Sequence, residues 1–521
     1  MRSLQRKLRA ALAGVFLAAL TLFVLQAAAA PFSEGPLVQV SGASPIPAAC
    51  IGDTNASSTS VNNYGTEVEP HVMVDPSNPN VLVGAWQQDR WNDGGSRGIV
   101  SASSTDGGAT WTINSNTKSS VCTGGTAANG GNYERSSDPW VAISPNGTAY
   151  LMTLSVDTNA GGFGIHPNSM LVMRSTNHGA SWGNPTTLIR DESQNVLNDK
   201  NSMTADPNDS NFAYAVWDRL ASPTSGNTNQ RAFENSIDFS GDVYFSRTTN
   251  GGASWEPARK IYKAGQVAQT IGNLIVVEPT SGGFNGELVD IFTQIRSFKN
   301  TGGTRGTFIS AIRSTDHGAS WTQKEVTISQ FARGIVRDPD DSAAHRTGDI
   351  NAEAAVDPNT GAIYVVWQAS NFGPRSSIAL SRSTDGGLTW SAPIKVNATP
   401  TNIPLGNQQA FTPMVSVRND STVAVSYYDF RNNTADGGAT TPTDAFVVHC
   451  HAATEDCTSS ASWDEEIRTT DTSFDSRQAP VARGFFLGDY EGLGTDGTSF
   501  FPFFAISSAA DHASIFTRKV G

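Results

Sequence analysis

Ser104-Thr105-Asp106-Gly107-Gly108-Ala109-Thr110-Trp111 is the first of five closely related octets in this chain. The others are Ser175-Thr176-Asn177-His178-Gly179-Ala180-Ser181-Trp182, Thr248-Thr249-Asn250-Gly251-Gly252-Ala253-Ser254-Trp255, Ser314-Thr315-Asp316-His317-Gly318-Ala319-Ser320-Trp321 and Ser383-Thr384-Asp385-Gly386-Gly387-Leu388-Thr389-Trp390. The tryptophans are spaced by 71, 73, 66 and 69 residues, and a further step of 73 reaches Trp463 in a degenerate sixth copy. A fixed period of this length marks a repeat architecture. Each octet reads as a tight turn. Asp or Asn accepts nearby backbone N–H groups, the glycine supplies a positive φ, and the tryptophan buries a large ring where the next strand starts.

Working outward, each octet sits inside the same strand grammar. The first repeat places short, β-branched runs at Glu69–Asp75, Val81–Gln87 and Gly98–Ser104, with a fourth run from Trp111. The fifth repeats this at Ile350–Asp357, Ala362–Gln368 and Ser377–Ser383. Runs bounded by Gly, Pro, Asn and Asp read as strands, and four antiparallel strands per unit is a propeller blade. Further repeats start near Asp138, Lys200, Ile271, Phe411 and Asp489. The last holds three strands, Asp489–Gly494, Phe500–Ile506 and Ala513–Lys519, so an N-terminal strand such as Leu37–Val40 is expected to complete it and close the ring. The expectation is an all-β propeller of four-stranded antiparallel blades over residues 65–521, seven in number with six as the alternative, preceded by an N-terminal segment at 30–64.

Composition agrees. The 521 residues are 16% charged, with 49 glycines, which disfavours helical bundles and coiled coils. A net charge of −13 excludes the basic face that nucleic-acid binding needs. Arg2, Arg6, Lys7 and Arg9 precede an apolar run from Ala10 to Leu25 and a small-residue stretch at Ala27–Ala30. This reads as a secretory signal peptide spanning residues 1–29, whose removal deepens the charge to −17 and leaves no membrane span. The four cysteines of an exported chain are expected to form two disulfides. Cys450 and Cys457 are close enough to close a small loop, leaving Cys50 with Cys122, although three pairings are open. His449 and His451 flank Cys450, so a metal site is conceivable there, but oxidation competes for the thiols and no metal is assigned.

Propeller topology puts the first-strand starts and the second-strand ends on one face, and the octet turns on the other. The first group is Glu67, Glu69, His71, Asp138, Lys200, Asp349, Asp489, Tyr490 and Glu491. The second is Asp89, Arg90, Trp91, Asp218, Arg219, Asp429 and Arg431. Acids and arginines therefore converge on one concave mouth, which suits a polar ligand. Arginine binds carboxylates bidentately, and paired acids serve glycosidic chemistry. Asp338, Asp340 and Asp341, together with the acid-rich stretch 199–209, supply hard oxygen ligands for a structural calcium, but they lack a recognisable loop spacing and read first as solvated loop. No other cofactor is expected.

By the octets, which match its Asp box, the chain resembles the sialidase and neuraminidase-like superfamily over roughly residues 65–521. The resemblance implies a six-bladed relative, a glycan substrate and exo-α-sialidase chemistry. It implies an arginine triad for the substrate carboxylate, an Asp acid/base and a Tyr nucleophile activated by a Glu. Carried over, Asp93 is placed like the acid/base, Arg90 like the accessory arginine and Tyr490, in Gly488-Asp489-Tyr490-Glu491-Gly492, like the nucleophile. Glu353 or Glu491 would be the partner glutamate, with Arg346 and Arg375 nearest to the remaining arginines. Arg219 and Arg431, with Asp138, Asp349 and Asp489, complete the expected substrate-binding set. The family's first-blade Arg-Ile-Pro is replaced here by Glu69-Pro70-His71. The two function classes are thus a secreted sialidase-like glycoside hydrolase and a non-catalytic propeller that binds glycan or protein.

Overall fold

The structure, a computed structural model, describes residues 32–158, 165–193, 195–221, 240–265, 268–296, 305–463 and 465–521. The signal-peptide reading of residues 1–29 lies outside them. The described chain is all-β, and short 3-10 turns such as Val121–Thr123 are its helical content. Among the described residues, no helix is long and apolar enough to cross a membrane.

The strands form successive antiparallel meanders. Asn62–Asp75, Asn78–Trp91, Ser96–Ser104 and Thr112–Asn114 pair in that order. Arg135–Ile143, Ala149–Thr158, Ile165–Ser175 and Thr186–Asp191 repeat the pattern. Further meanders begin at Val196–Ala205, Ala268–Val277, Ala352–Val356 and Ala410–Val417. The last one, Gly492–Thr495, Phe500–Ile506 and Ser514–Thr517, takes its outer strand from the other end of the sequence: Val38 pairs with Thr517 and Gln39 with Phe516. First strands neighbour one another in chain order. Asn62–Asp75 lies beside Arg135–Ile143 and also beside Gly492–Thr495.

Five of the first strands begin earlier than the sequence suggests, whereas Ala352–Val356 and Gly492–Thr495 begin two and three residues later than the expected Ile350 and Asp489. The apparent start at Glu69 lies inside Asn62–Asp75, where the register slips between Val68 and His71. Equivalent bulges fall at Asp138–Pro139, Lys200–Asn201, Gly272–Asn273 and Thr412–Pro413. The first residue of each is left-handed, with φ of 52° at Glu69, 51° at Asp138, 46° at Lys200, 67° at Gly272 and 51° at Thr412. A bulge leaves one residue outside the ladder, so a proline can follow without losing a ladder bond. That is why Pro70 and Pro139 imitate strand starts.

The repeated turn is held as its composition suggests. In the fourth copy Ser314 Oγ accepts from Gly318 N at 2.8 Å, and Asp316 Oδ1 accepts from Ser320 N at 2.8 Å. Trp321 Nε1 donates to Gly318 O at 3.2 Å. The glycine answers two demands. Gly318 has φ of 77°, and a Cβ there would lie 2.6 Å from the ring of Phe245 in the preceding meander. Gly252 meets Tyr150 in the same way, at 2.5 Å. In the degenerate sixth copy a disulfide loop, Cys450–Cys457, takes over, and Trp463 Nε1 donates to Cys457 O at 3.1 Å. Cys50 pairs with Cys122.

The core straddles neighbouring meanders. Val289, Ile291 and Ile309 pack with Ile363, Val365 and Trp367. Val72, Leu82 and Trp86 pack with Phe501, Phe503 and Ile515, which joins the first meander to the last. Each such side chain contributes about 1.5–3 kcal/mol on full burial, so the contact between meanders, rather than any one sheet, holds the molecule together.

Candidate functional site: a lysine ringed by carboxylates

The three charged bulge residues meet. Their positions in consecutive first strands turn Glu69, Asp138 and Lys200 inward, where Asp489 joins them. Lys200 Nζ lies 2.5 Å from Asp489 Oδ2, 3.5 Å from Asp138 Oδ1 and 3.6 Å from Glu69 Oε1. Arg346 donates to both oxygens of Asp489, its Nε at 2.8 Å from Oδ1. Gln87 Nε2 donates to Glu69, and Arg90 NH1 donates to Gln87 Oε1 at 2.8 Å. The ring of Phe486 lies 4.5 Å from the Arg346 guanidinium carbon and 5.2 Å from that of Arg90. Three carboxylates thus face three cations, all nearly buried, so each charge depends on the others for its solvation.

Backbone geometry fixes Asp489. Gly348 has φ of 60°, and a Cβ there would fall 1.9 Å from Asp489 O. Asn351 Nδ2 donates to the same carbonyl at 3.2 Å.

The carboxyls are driven apart electrostatically. Burial raises Glu69 to about 7, with Lys200 opposing and Asp138 and Asp489 adding to the rise. For Asp489 burial also pushes upward, but Arg346 and Lys200 outweigh it and hold the group well below the usual carboxylate range. Lys200 is kept charged: burial acts against the ammonium, and Asp489, Asp138 and Glu69 more than offset it. Burial lowers Arg90 to about 10. Two carboxyls in contact with one ammonium, one holding a proton near neutral pH and one ionised, form an acid and base arrangement.

Lys200 and Asp489 form part of the lining of a cleft of about 230 Å³, whose walls include Arg333, Arg337, Arg346 and Arg483 beside Asp349 and His345. Arg333 binds Asp349 bidentately at 2.7 and 2.8 Å. The cleft therefore carries more positive than negative side chains on an acidic chain.

The other expected residues divide. Tyr490 follows Asp489, but its OH donates to Pro139 O at 2.9 Å and its ring packs 5.3 Å from Trp140. Burial raises its pKa well above the ordinary value, and Glu69, Asp138, Asp489 and Glu353 add to this. Glu491 turns away and accepts from Tyr428 OH. Glu353 and His71 line a separate, largely apolar cavity of about 540 Å³ between the first strands. Burial lifts Glu353 to about 8 and lowers His71 to about 3. Asp93 joins another group, accepting from Ser60 Oγ and from Arg135 NH1 at 2.7 Å. Arg219 is paired with Asp191 and Arg431 with Asp429 and Glu466. Arg375, half-buried ahead of Ser377–Ser383, makes none of the cluster's contacts. Of the candidate calcium ligands, Asp338 and Asp341 are paired with Arg477, and Asp340 accepts from the backbone N–H of Asp436. Sequence reasoning missed Lys200 as the hub, and Arg333, Arg337 and Arg483 as cleft residues. The signal available was the shared Glu69-Pro70, Asp138-Pro139 and Thr412-Pro413 pattern, which marks equivalent bulges.

No family model and no curated protein matches the chain. Solved structures resemble it at low identity. A protein of unknown function from Dyadobacter fermentans is 15% identical over 88% of this chain and 97% of that one, with a TM-score of 0.43. A Hadza microbial sialidase is 14% identical over 74% and 66%, with a TM-score of 0.44. An α-L-arabinofuranosidase from Fusarium graminearum is 13% identical over 80% and 98%, with a TM-score of 0.42.

Proposed function

We propose that this chain is a secreted glycoside hydrolase acting on acidic glycans at the arginine-lined cleft of a closed, seven-bladed propeller. The ring is supported by the cyclic order of first strands, by the cavity they jointly line and by the pairing of Val38–Gln39 with the last meander. Two disulfides support an oxidising destination. The observation that carries the function is the arrangement over Lys200. An ionised Asp489 lies at the cleft floor, and a carboxyl that titrates near neutrality, Glu69, stands behind the same ammonium. Cleft arginines bind the carboxylate of an acidic sugar, Asp489 stabilises positive charge that develops at the anomeric carbon, and Glu69 holds the exchangeable proton. Exo-α-sialidase activity is the specific form of this reading. In it, Tyr490 is the nucleophile and its hydroxyl leaves Pro139 O for a carboxylate partner.

The test is a panel of fluorogenic glycosides that includes a sialoside and a uronide. Turnover of an acidic glycoside, with Asp489→Asn lowering kcat by at least ~100-fold and Arg337→Ala raising KM, is expected. Equal sialoside turnover by Tyr490→Phe removes the tyrosine as nucleophile while leaving the hydrolase standing. No turnover by the wild type on any member of the panel sinks the hydrolase. A second reading, a non-catalytic glycan-binding propeller, is favoured by the internal pairing of Asp489 with both Lys200 and Arg346. Binding to immobilised acidic glycans without hydrolysis would select it.

A further inference from the structure

Outside the cleft, strand Pro442–His451 carries two histidines two residues apart. Side chains alternate across a strand. Cys450, between them, is fully buried in its disulfide with Cys457, so His449 and His451 share the opposite face. Glu465 opens the neighbouring strand Glu465–Arg468 and is the direct register partner of His449. The sheet thus delivers two imidazoles and one carboxylate to one spot. His449 Nε2 lies 2.8 Å from Glu465 Oε2, and His451 Nε2 lies 3.8 Å from the same oxygen. The imidazole centroids are 5.0 Å apart and nearly perpendicular, at 81°. One ligand atom from each residue falls within 4.8 Å of the others.

We propose that His449, His451 and Glu465 bind one divalent transition cation of the zinc class. Two imidazole nitrogens and one carboxylate oxygen form a donor set that zinc accepts. Bonds of about 2.0–2.1 Å around a tetrahedral ion separate its ligands by about 3.3 Å, close to the 2.8 and 3.8 Å found. His451 Nδ1 lies 3.1 Å from Thr422 Oγ1. A proton on Nδ1 donated to that hydroxyl leaves the Nε2 lone pair for the metal, the role that outer partners play at such sites. Glu455 accepts the backbone N–H of His451 at 3.0 Å and adds negative charge nearby. The neighbouring cation, Arg418, is engaged by Asp420 at 2.6 Å. One ligand is deep and two are at the lip: the side chains are 1%, 20% and 47% exposed for His449, His451 and Glu465. The bound ion fastens the outer strand to its neighbour beside the disulfide loop that stands in for the lost sixth turn.

Calorimetric titration of the full chain, disulfides intact, with zinc chloride tests this. One ion per chain is expected. His451→Ala should weaken binding by more than ~100-fold, since even outer-partner changes cost 10–100-fold, and Thr422→Val by about 10-fold. Absence of stoichiometric zinc binding by the wild type overturns the proposal. So does unchanged affinity in a His449→Ala, His451→Ala double variant, which would put the ion elsewhere. If the double variant fails to fold, as judged by near-ultraviolet circular dichroism, Glu465→Gln decides: weaker binding supports the site and unchanged affinity overturns it.

Discussion

An ammonium buried among three carboxylates is stable only as a set. Replacing Lys200 by methionine keeps the stem's volume and removes the one charge that touches Glu69, Asp138 and Asp489 together. The carboxylates then repel one another with Arg346 and Arg90 as the remaining compensation. Breaking a buried pair in this manner costs about 3–5 kcal/mol. Urea unfolding of Lys200→Met should show a loss of that order, and a loss under 1 kcal/mol would mean that the cluster is solvated rather than buried. Glu69 gives a pH signature. Its folded pKa, raised to about 7, exceeds the unfolded value near 4.5, so the folded state holds the proton more tightly. The associated stability is complete below about pH 4.5 and is lost as pH rises through 7. Glu69→Gln should therefore flatten the stability profile between those limits, and a profile parallel to wild type would refute the assignment.

Elements explain why some of this could be read in advance and some could not. The turn octets carry their own physics in local spacing, and the strands between them follow from alternation and breakers. The bulges defeat that reading. An inserted residue shifts the two-residue period, so Glu69, Asp138 and Lys200 look like strand starts when they are interior points of strands. Their placement on one face was legible; their convergence on one ammonium was not, because proline marks the bulges at Glu69 and Asp138 but Lys200 is followed by Asn201 and carries no such mark. Tyr490 was legible as a neighbour of the site, but its hydroxyl is held by the carbonyl of Pro139, 351 residues away, a contact that no local pattern encodes. The glycine of the octet was half legible: positive φ was evident, and the close approach to the preceding meander was not. Gly318→Ala tests both demands at once. Strain at φ of 77° costs about 1–3 kcal/mol, and displacing Phe245 adds to it. A fall in thermal midpoint is expected, and a midpoint within 1 °C of wild type would show that neither demand is real.

At the scale of the whole molecule, the pairing of Val38–Gln39 with Ser514–Thr517 covers what would be an open edge. Deleting residues 33–41 should uncover the edge of Ser514–Thr517. The expected result is a lower thermal midpoint together with concentration-dependent association in light scattering. A monomer of unchanged midpoint would show that the first strand is ornamental. For the proposed function the cleft arginines also matter at this scale, because an acidic surface would repel an acidic glycan except where positive charge is gathered.

The same pairing sets an order of events in time. Ser41 Oγ accepts from Ile515 N across 474 residues of chain, so the opening strand has no partner until the final meander exists. Closing a loop of that length costs roughly 5 kcal/mol of chain entropy, recovered only when the two ends dock together. Docking of the opening strand therefore waits on synthesis of the chain through Ser514–Thr517. Once joined, the ends must part before the first and last meanders can separate. Resistance to unfolding should then be governed by how fast that junction opens, and relocating the junction by circular permutation should relocate the weak point with it.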